Sequence, residues 1–115
     1  MKIINESQIE EKEVDMEGAK DATIKILIGT DDGSENMIMR RFKVQPNGYT
    51  PRHTHDIEHL IKIENGKGLA VDENGEEHEV SAGNSIFIEP NTLHQMKNPY
   101  SEPLEFLCVI PNQER

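Results

Sequence analysis

The stretch His53-Thr54-His55-Asp56-Ile57-Glu58-His59-Leu60-Ile61-Lys62-Ile63 decides how this chain is read. In an extended strand, residues of equal parity share a face. If the strand is unbroken, His53, His55 and His59 project together, Ile61 and Ile63 continue their side, and Lys62 and Glu64 lie opposite. One face is imidazole plus apolar, as a barrel lumen would be, and the other is charged. Several imidazoles buried without a shared partner leave polar nitrogens unsatisfied, and a metal ion removes that cost. Glu58 is out of phase with His53 and His55, so parity favours His59 over Glu58 as the third ligand. His78, set in Glu76-Glu77-His78-Glu79, reads as a solvated histidine and is given no role.

Outward from that stretch the chain is a series of short β-type runs. Thr23–Gly29, Asn36–Val44, His59–Ile63, Gly68–Asp72, His78–Val80, Ser85–Ile88 and Leu104–Ile110 are separated by turn chemistry. Asp32-Gly33, Asn47-Gly48, Asn65-Gly66, Asn74-Gly75 and Ala82-Gly83 supply residues that tolerate positive φ and read as hairpin or tight-turn signals. Pro90, Pro99, Pro103 and Pro111 are expected outside strand interiors, where a ladder can spare an N–H. No amphipathic helix is expected, and the rhythm predicts an all-β sandwich or barrel. Residues 1–22 are expected to form an N-terminal strand and loop segment, and residues 23–115 the barrel domain.

The length of 115 residues allows one domain with one modest core. Only 34% of the residues are hydrophobic and tryptophan is absent, so a homodimer that shares buried surface is expected. The formal charge of −10 repels phosphate backbones and anionic lipid headgroups. Neither nucleic acid nor a membrane surface is an expected partner. The opening MKIINESQIEEKEVD has no hydrophobic leader, and the single cysteine, Cys108, excludes an intrachain disulfide. A cytoplasmic location is the expectation.

Two motifs carry a resemblance to the cupin superfamily. Asn47-GYTPR-His53-Thr54-His55-DIE-His59-LIKIEN-Gly66 resembles the first cupin motif, with Asn47 where a glycine is usual and His59 where many cupins place a glutamate ligand. Gly83-NSIFI-Glu89-Pro90-Asn91-TL-His94-QMK-Asn98 resembles the second, with Asn91 replacing the turn glycine. Within the superfamily the chain is similar to the small single-domain, conserved-barrel proteins of the tetra-histidine manganese type. The ending Glu105-Phe106-Leu107-Cys108-Val109-Ile110-Pro111 resembles the last barrel strand of that group.

The resemblance implies a double-stranded β-helix, a jelly-roll-like antiparallel barrel. It also implies one divalent transition metal held by His53, His55, His59 and His94. Phe106 and Cys108, of equal parity, are candidates to face the same cavity. The resemblance places manganese or iron first, with zinc, nickel, cobalt and copper as alternatives that imidazole also suits. If the site is octahedral, four protein ligands leave two positions for water, dioxygen or a chelating ligand. The expected activity is a metal-dependent oxidoreductase, dioxygenase-like, acting on a small oxygen-bearing molecule. The alternatives are a non-catalytic binding or sensing module and a metal-dependent isomerase or lyase. At an ordinary pKa of about 6.5, imidazoles would exchange metal for protons in mildly acidic solution.

Overall fold

The computed structural model describes residues 1–113. Nine strands account for the architecture: β1 (Lys12–Glu13), β2 (Lys20–Ile28), β3 (Met37–Tyr49), β4 (His59–Asn65), β5 (Lys67–Val71), β6 (Glu77–Ser81), β7 (Ser85–Ile88), β8 (Gln95–Lys97) and β9 (Leu104–Pro111). Among the described residues the only helical elements are two 3-10 turns, Glu6–Gln8 and Thr30–Asp32. No helix among them is long and apolar enough to cross a membrane. The seven runs expected from sequence all contain strand. The three-residue β8 is an addition, β1 lies within the N-terminal strand and loop segment expected over residues 1–22, and Pro111 closes β9 rather than following it.

All pairings are antiparallel and follow the order β6-β5-β8-β3-β9-β4-β7, with β2 on the other side of β3 and β1 on β2. The consecutive strands β4 and β5 are not partners. The first pairs with β7 and β9, the second with β6 and β8. This nesting of long connections curls one sheet into the two-layered jelly roll. Gly66, at φ 79°, makes the turn between β4 and β5.

Strand β3 belongs to both layers. Its first part, Met37 to Val44, runs beside β9, whereas Tyr49 lies opposite Lys97 of β8. Between them Asn47-Gly48 is a corner inside the strand, not the hairpin turn its composition suggests. On β2, Asp21 alone separates Lys20 from Ala22, while their partners Tyr49 and Val44 enclose the four-residue Gln45-Pro46-Asn47-Gly48. Asp21 and Asn47 both take positive φ, at 49° and 69°. The surplus residues form a bulge that bends the strand from one layer to the other. Gly48 is required there by contact and not by φ: a Cβ would sit 2.6 Å from the Lys20 carbonyl oxygen and 3.0 Å from that of Asp21.

The core follows strict alternation. In β4, His59, Ile61 and Ile63 are buried while Leu60 and Lys62 are exposed; in β9, Leu104, Phe106, Cys108 and Ile110 are buried. Each such aliphatic or aromatic side chain contributes about 1.5–3 kcal/mol relative to exposure. Val44, Ile63 and Leu104 are fully buried, and Phe42 stacks on Phe106 with ring centroids 5.3 Å apart. Asn98 is buried but satisfied. Its Nδ2 donates to the carbonyls of Val44 (2.9 Å) and Glu102 (2.7 Å), and its Oδ1 accepts from the Tyr100 amide.

Gly48→Ala is expected to destabilise the fold by about 2 kcal/mol, the cost of forcing a methyl against packed backbone. Urea unfolding reads the loss, and faster amide exchange at His94 reads the loosened corner. An unchanged midpoint would mean that the corner accepts a side chain.

Candidate metal centre

The open end of the lumen is built where the two motifs meet. His53 and His94 form an isolated antiparallel bridge, the His53 amide donating to the His94 carbonyl at 3.2 Å and the His94 amide to the His53 carbonyl at 3.0 Å. The Asn91 amide donates to the His55 carbonyl at 2.6 Å, and Asn91 adopts φ 62°, the left-handed turn for which Asn substitutes acceptably for glycine. His59 opens β4, opposite Ile88 of β7.

The unbroken strand assumed from His53 to Ile63 is not present. Residues 54–58 are bends and irregular backbone, and regular pairing starts at His59. The alternation of burial nonetheless runs through the break. His53, His55 and Ile57 are partly buried, Thr54, Asp56 and Glu58 are exposed, and His59 is only 4% exposed.

The four rings gather at the lumen mouth. Centroid separations are 4.3 Å for His53 and His55, 4.9 Å for His53 and His94, 4.9 Å for His59 and His94, and 5.2 Å for His55 and His59. The farthest of the close pairs, His55 and His94, is 6.1 Å apart. His55 Nδ1 and His59 Nε2 are in hydrogen-bond contact at 3.2 Å, and His94 Nδ1 donates to the Thr92 carbonyl at 2.9 Å. That second bond fixes the tautomer and leaves His94 Nε2 as the free lone pair. Nδ1 of His53 and of His59 is buried without a hydrogen-bond partner. The rings are gathered more loosely than a closed chelate. Among the described residues, the group of three metal-type donor atoms all within 4.8 Å of one another is instead Asp72, Glu76 and His78, on the surface. There His78 Nε2 meets Asp72 Oδ2 at 2.8 Å, which raises the His78 pKa and lowers that of Asp72.

A cavity of about 80 Å³ lies against the four histidines, and Phe106 and Cys108 line it with Arg40 and Phe42. Burial holds the His53 and His59 imidazoles neutral down to about pH 4, with the neighbouring imidazoles and Arg40 adding to the effect. His55 is lowered by the same causes. Proton competition at these rings thus sets in well below the ordinary imidazole range assumed from sequence. Burial pushes the Cys108 thiol up, although the charge of Arg40 opposes it.

Arg40 is the residue that sequence reading passed over. Its signal was present: Ile38, Arg40, Phe42 and Val44 share a parity, so a cation interrupts an otherwise apolar face.

A family model described as "Cupin domain" matches residues 40–110. Among curated proteins, the mannose-1-phosphate guanylyltransferase of Salmonella muenchen is 36% identical over 78 residues, 65% of this chain. The chain spans only 16% of that relative's length. Among solved structures, the polyketide cyclase RemF from Streptomyces resistomycificus superposes with a TM-score of 0.92 at 34% identity, covering 96% of this chain and 79% of that one. A cupin-2 domain from Rhodospirillum rubrum superposes with a TM-score of 0.83 at 24% identity, over 99% of this chain and 76% of that one, a likeness of fold. The matched stretch contains both histidine motifs and more than half of the residues, and the chain belongs to the cupin family.

Proposed function

We propose that this cupin is a metal-dependent oxidoreductase, dioxygenase-like, in which His53, His55, His59 and His94 hold one divalent ion, manganese or iron, beside a small oxygen-bearing substrate. The observation that carries the reading is the gathering of four imidazole rings against one cavity, with centroid separations from 4.3 Å to 6.1 Å for the close pairs and with His94 held by its Nδ1 bond to Thr92. The donor set is all imidazole, without the thiolates of a closed structural zinc site. When bound, such an ion supplies Lewis acidity and, as iron or manganese, electron transfer. The residues of the chain supply the rest: burial keeps His53 and His59 unprotonated, Thr92 orients His94, and Phe42 and Phe106 give the cavity an apolar wall.

A second reading, ring closure or isomerisation by Lewis acidity alone, is favoured by the likeness to the polyketide cyclase. Metal analysis of untagged protein followed by oxygen-electrode assays separates the two. Metal-dependent oxygen uptake supports the oxidoreductase, and metal-dependent turnover that persists without oxygen supports the second. Tight ligand binding without turnover would leave a binding module.

We also assign a homodimer. Ile28, Met39, Val109, Leu60 and Phe87 are in register across β2, β3, β9, β4 and β7 on the outer face, with Leu60 55% and Phe87 52% exposed. An apolar row of this extent on a chain of charge −10 suits a second copy's equal row.

His59→Ala should lower metal content in elemental analysis to well below one ion per chain, while Glu58→Ala keeps it nearly intact. The reverse result would place Glu58 in the ligand set. For pH, the sign follows from depressed folded-state values. Between pH 6.5 and about 4 the unfolded chain binds protons at His53 and His59 that the folded one refuses, so stability of the metal-free protein falls as pH falls through that window. Urea titrations across it should show the slope, and His59→Ala should flatten it. Sedimentation should find a dimer that Phe87→Glu converts to monomer without loss of β signal; a monomeric parent protein refutes the assignment.

A further inference from the structure

We propose that Arg40 is the substrate-binding cation of the lumen and that the ligand it selects is a small carboxylate anion. The contrast with its neighbour carries the inference. Arg41, on the outer face of β3, is held by two carboxylates, Glu6 at 2.8 Å and Glu64 at 3.0 Å. Arg40 faces inward and, among the described residues, has no carboxylate within ion-pair distance, in a chain that carries 22 acidic residues. Its Nη2 donates only to the Cys108 sulfur at 3.1 Å, a weak acceptor, and its Nε is buried without a partner. The guanidinium plane is steadied over the Phe42 ring at 5.0 Å.

A half-buried, oriented guanidinium with an idle Nε–H and only a thiol on Nη2 is a fork that lacks its anion. Among the described residues, no Asp or Glu lines the cavity that Arg40 shares with the four imidazoles. The charge of Arg40 is also felt at His53, His55 and His59, so anion and imidazole sites lie within one field. The cavity of about 80 Å³ limits the guest. At roughly 10–15 Å³ for each water-sized group, that is room for about five to eight heavy atoms, the size of a compact acid. A carboxylate on Arg40 would present an oxygen on the adjacent carbon to the imidazoles, which makes 2-hydroxy and 2-oxo acids the favoured class. The second oxygen rests on the four-imidazole reading; the carboxylate site does not.

The test uses glycolate and its neutral analogue glycolamide as probes in calorimetry, on metal-loaded protein and on protein stripped with chelator. Glycolate should bind both forms, glycolamide at least about tenfold more weakly, and Arg40→Gln should cost glycolate about tenfold or more, the range for a hydrogen bond to a charged group. Arg40→Lys should recover part of that loss, and metal content should stay unchanged in both variants. In the unsubstituted protein, glycolate should shift the Arg40 Nε–H resonance, a readout that needs no variant to fold. Glycolate binding only to the metal-loaded form, equal binding of glycolate and glycolamide, an unmoved Nε–H signal, or no glycolate binding at all would overturn the proposal. A protein that takes up no metal yet binds glycolate through Arg40 would refute the metal centre and keep the anion site.

Discussion

The bend in β3 at Gln45 to Gly48 is the constraint on which the rest depends. A straight strand would continue beside β9 and never reach β8. The bulge turns it so that the Thr50 amide bonds the Met96 carbonyl at 2.9 Å, the Met96 amide bonds Thr50 Oγ1 at 2.9 Å, and His53 then falls opposite His94. The close approach of Gly48 to two carbonyls of β2 is therefore coupled, through a few residues of backbone, to the spacing of imidazoles at the lumen mouth. Packing density and site geometry share one determinant here.

Charge is partitioned as sharply as hydrophobicity. The exterior carries the acidic excess, while among the described residues the cavity wall holds imidazoles, aromatic rings, a thiol and one guanidinium, with no carboxylate. In a medium of low effective dielectric each of these groups influences the others more strongly than it would in water. The depressed pKa values of His53 and His59 are one expression of that partition. An anionic guest would meet a repulsive exterior at long range and an attractive pocket at short range, an arrangement that favours small acids over large polyanions.

Most of the fold was legible because alternation is a local signal. In β4 and β9 the side of each residue could be read without knowing its partner strand, and the preference for His59 over Glu58 rests on the same parity that puts Glu58 in solvent. What was not legible depended on distance in sequence. Gln95–Lys97 is too short to show a pattern and is a strand only because β3 and β5 flank it. Asn47-Gly48 has hairpin composition, and only the pairing with β2 reveals it as a bulge. Arg40 escaped notice because an arginine beside another arginine reads as surface, and its inward side is defined by Cys108 opposite it on β9.

The position of β9 in the sheet order bears on how the barrel forms. This strand, the last in chain order among the described residues, lies between β3 and β4, its neighbours on either side. Until Leu104–Pro111 arrives, both of those strands present bare ladder edges, and the pairing of Met37 with Pro111 closes a loop over most of the chain. Such closure is slow because the entropy of a long loop is lost before any contact compensates for it. The nascent chain thus holds two sticky edges apart while it waits for the strand that fills the gap, a window in which chaperone capture or edge-to-edge aggregation competes with folding.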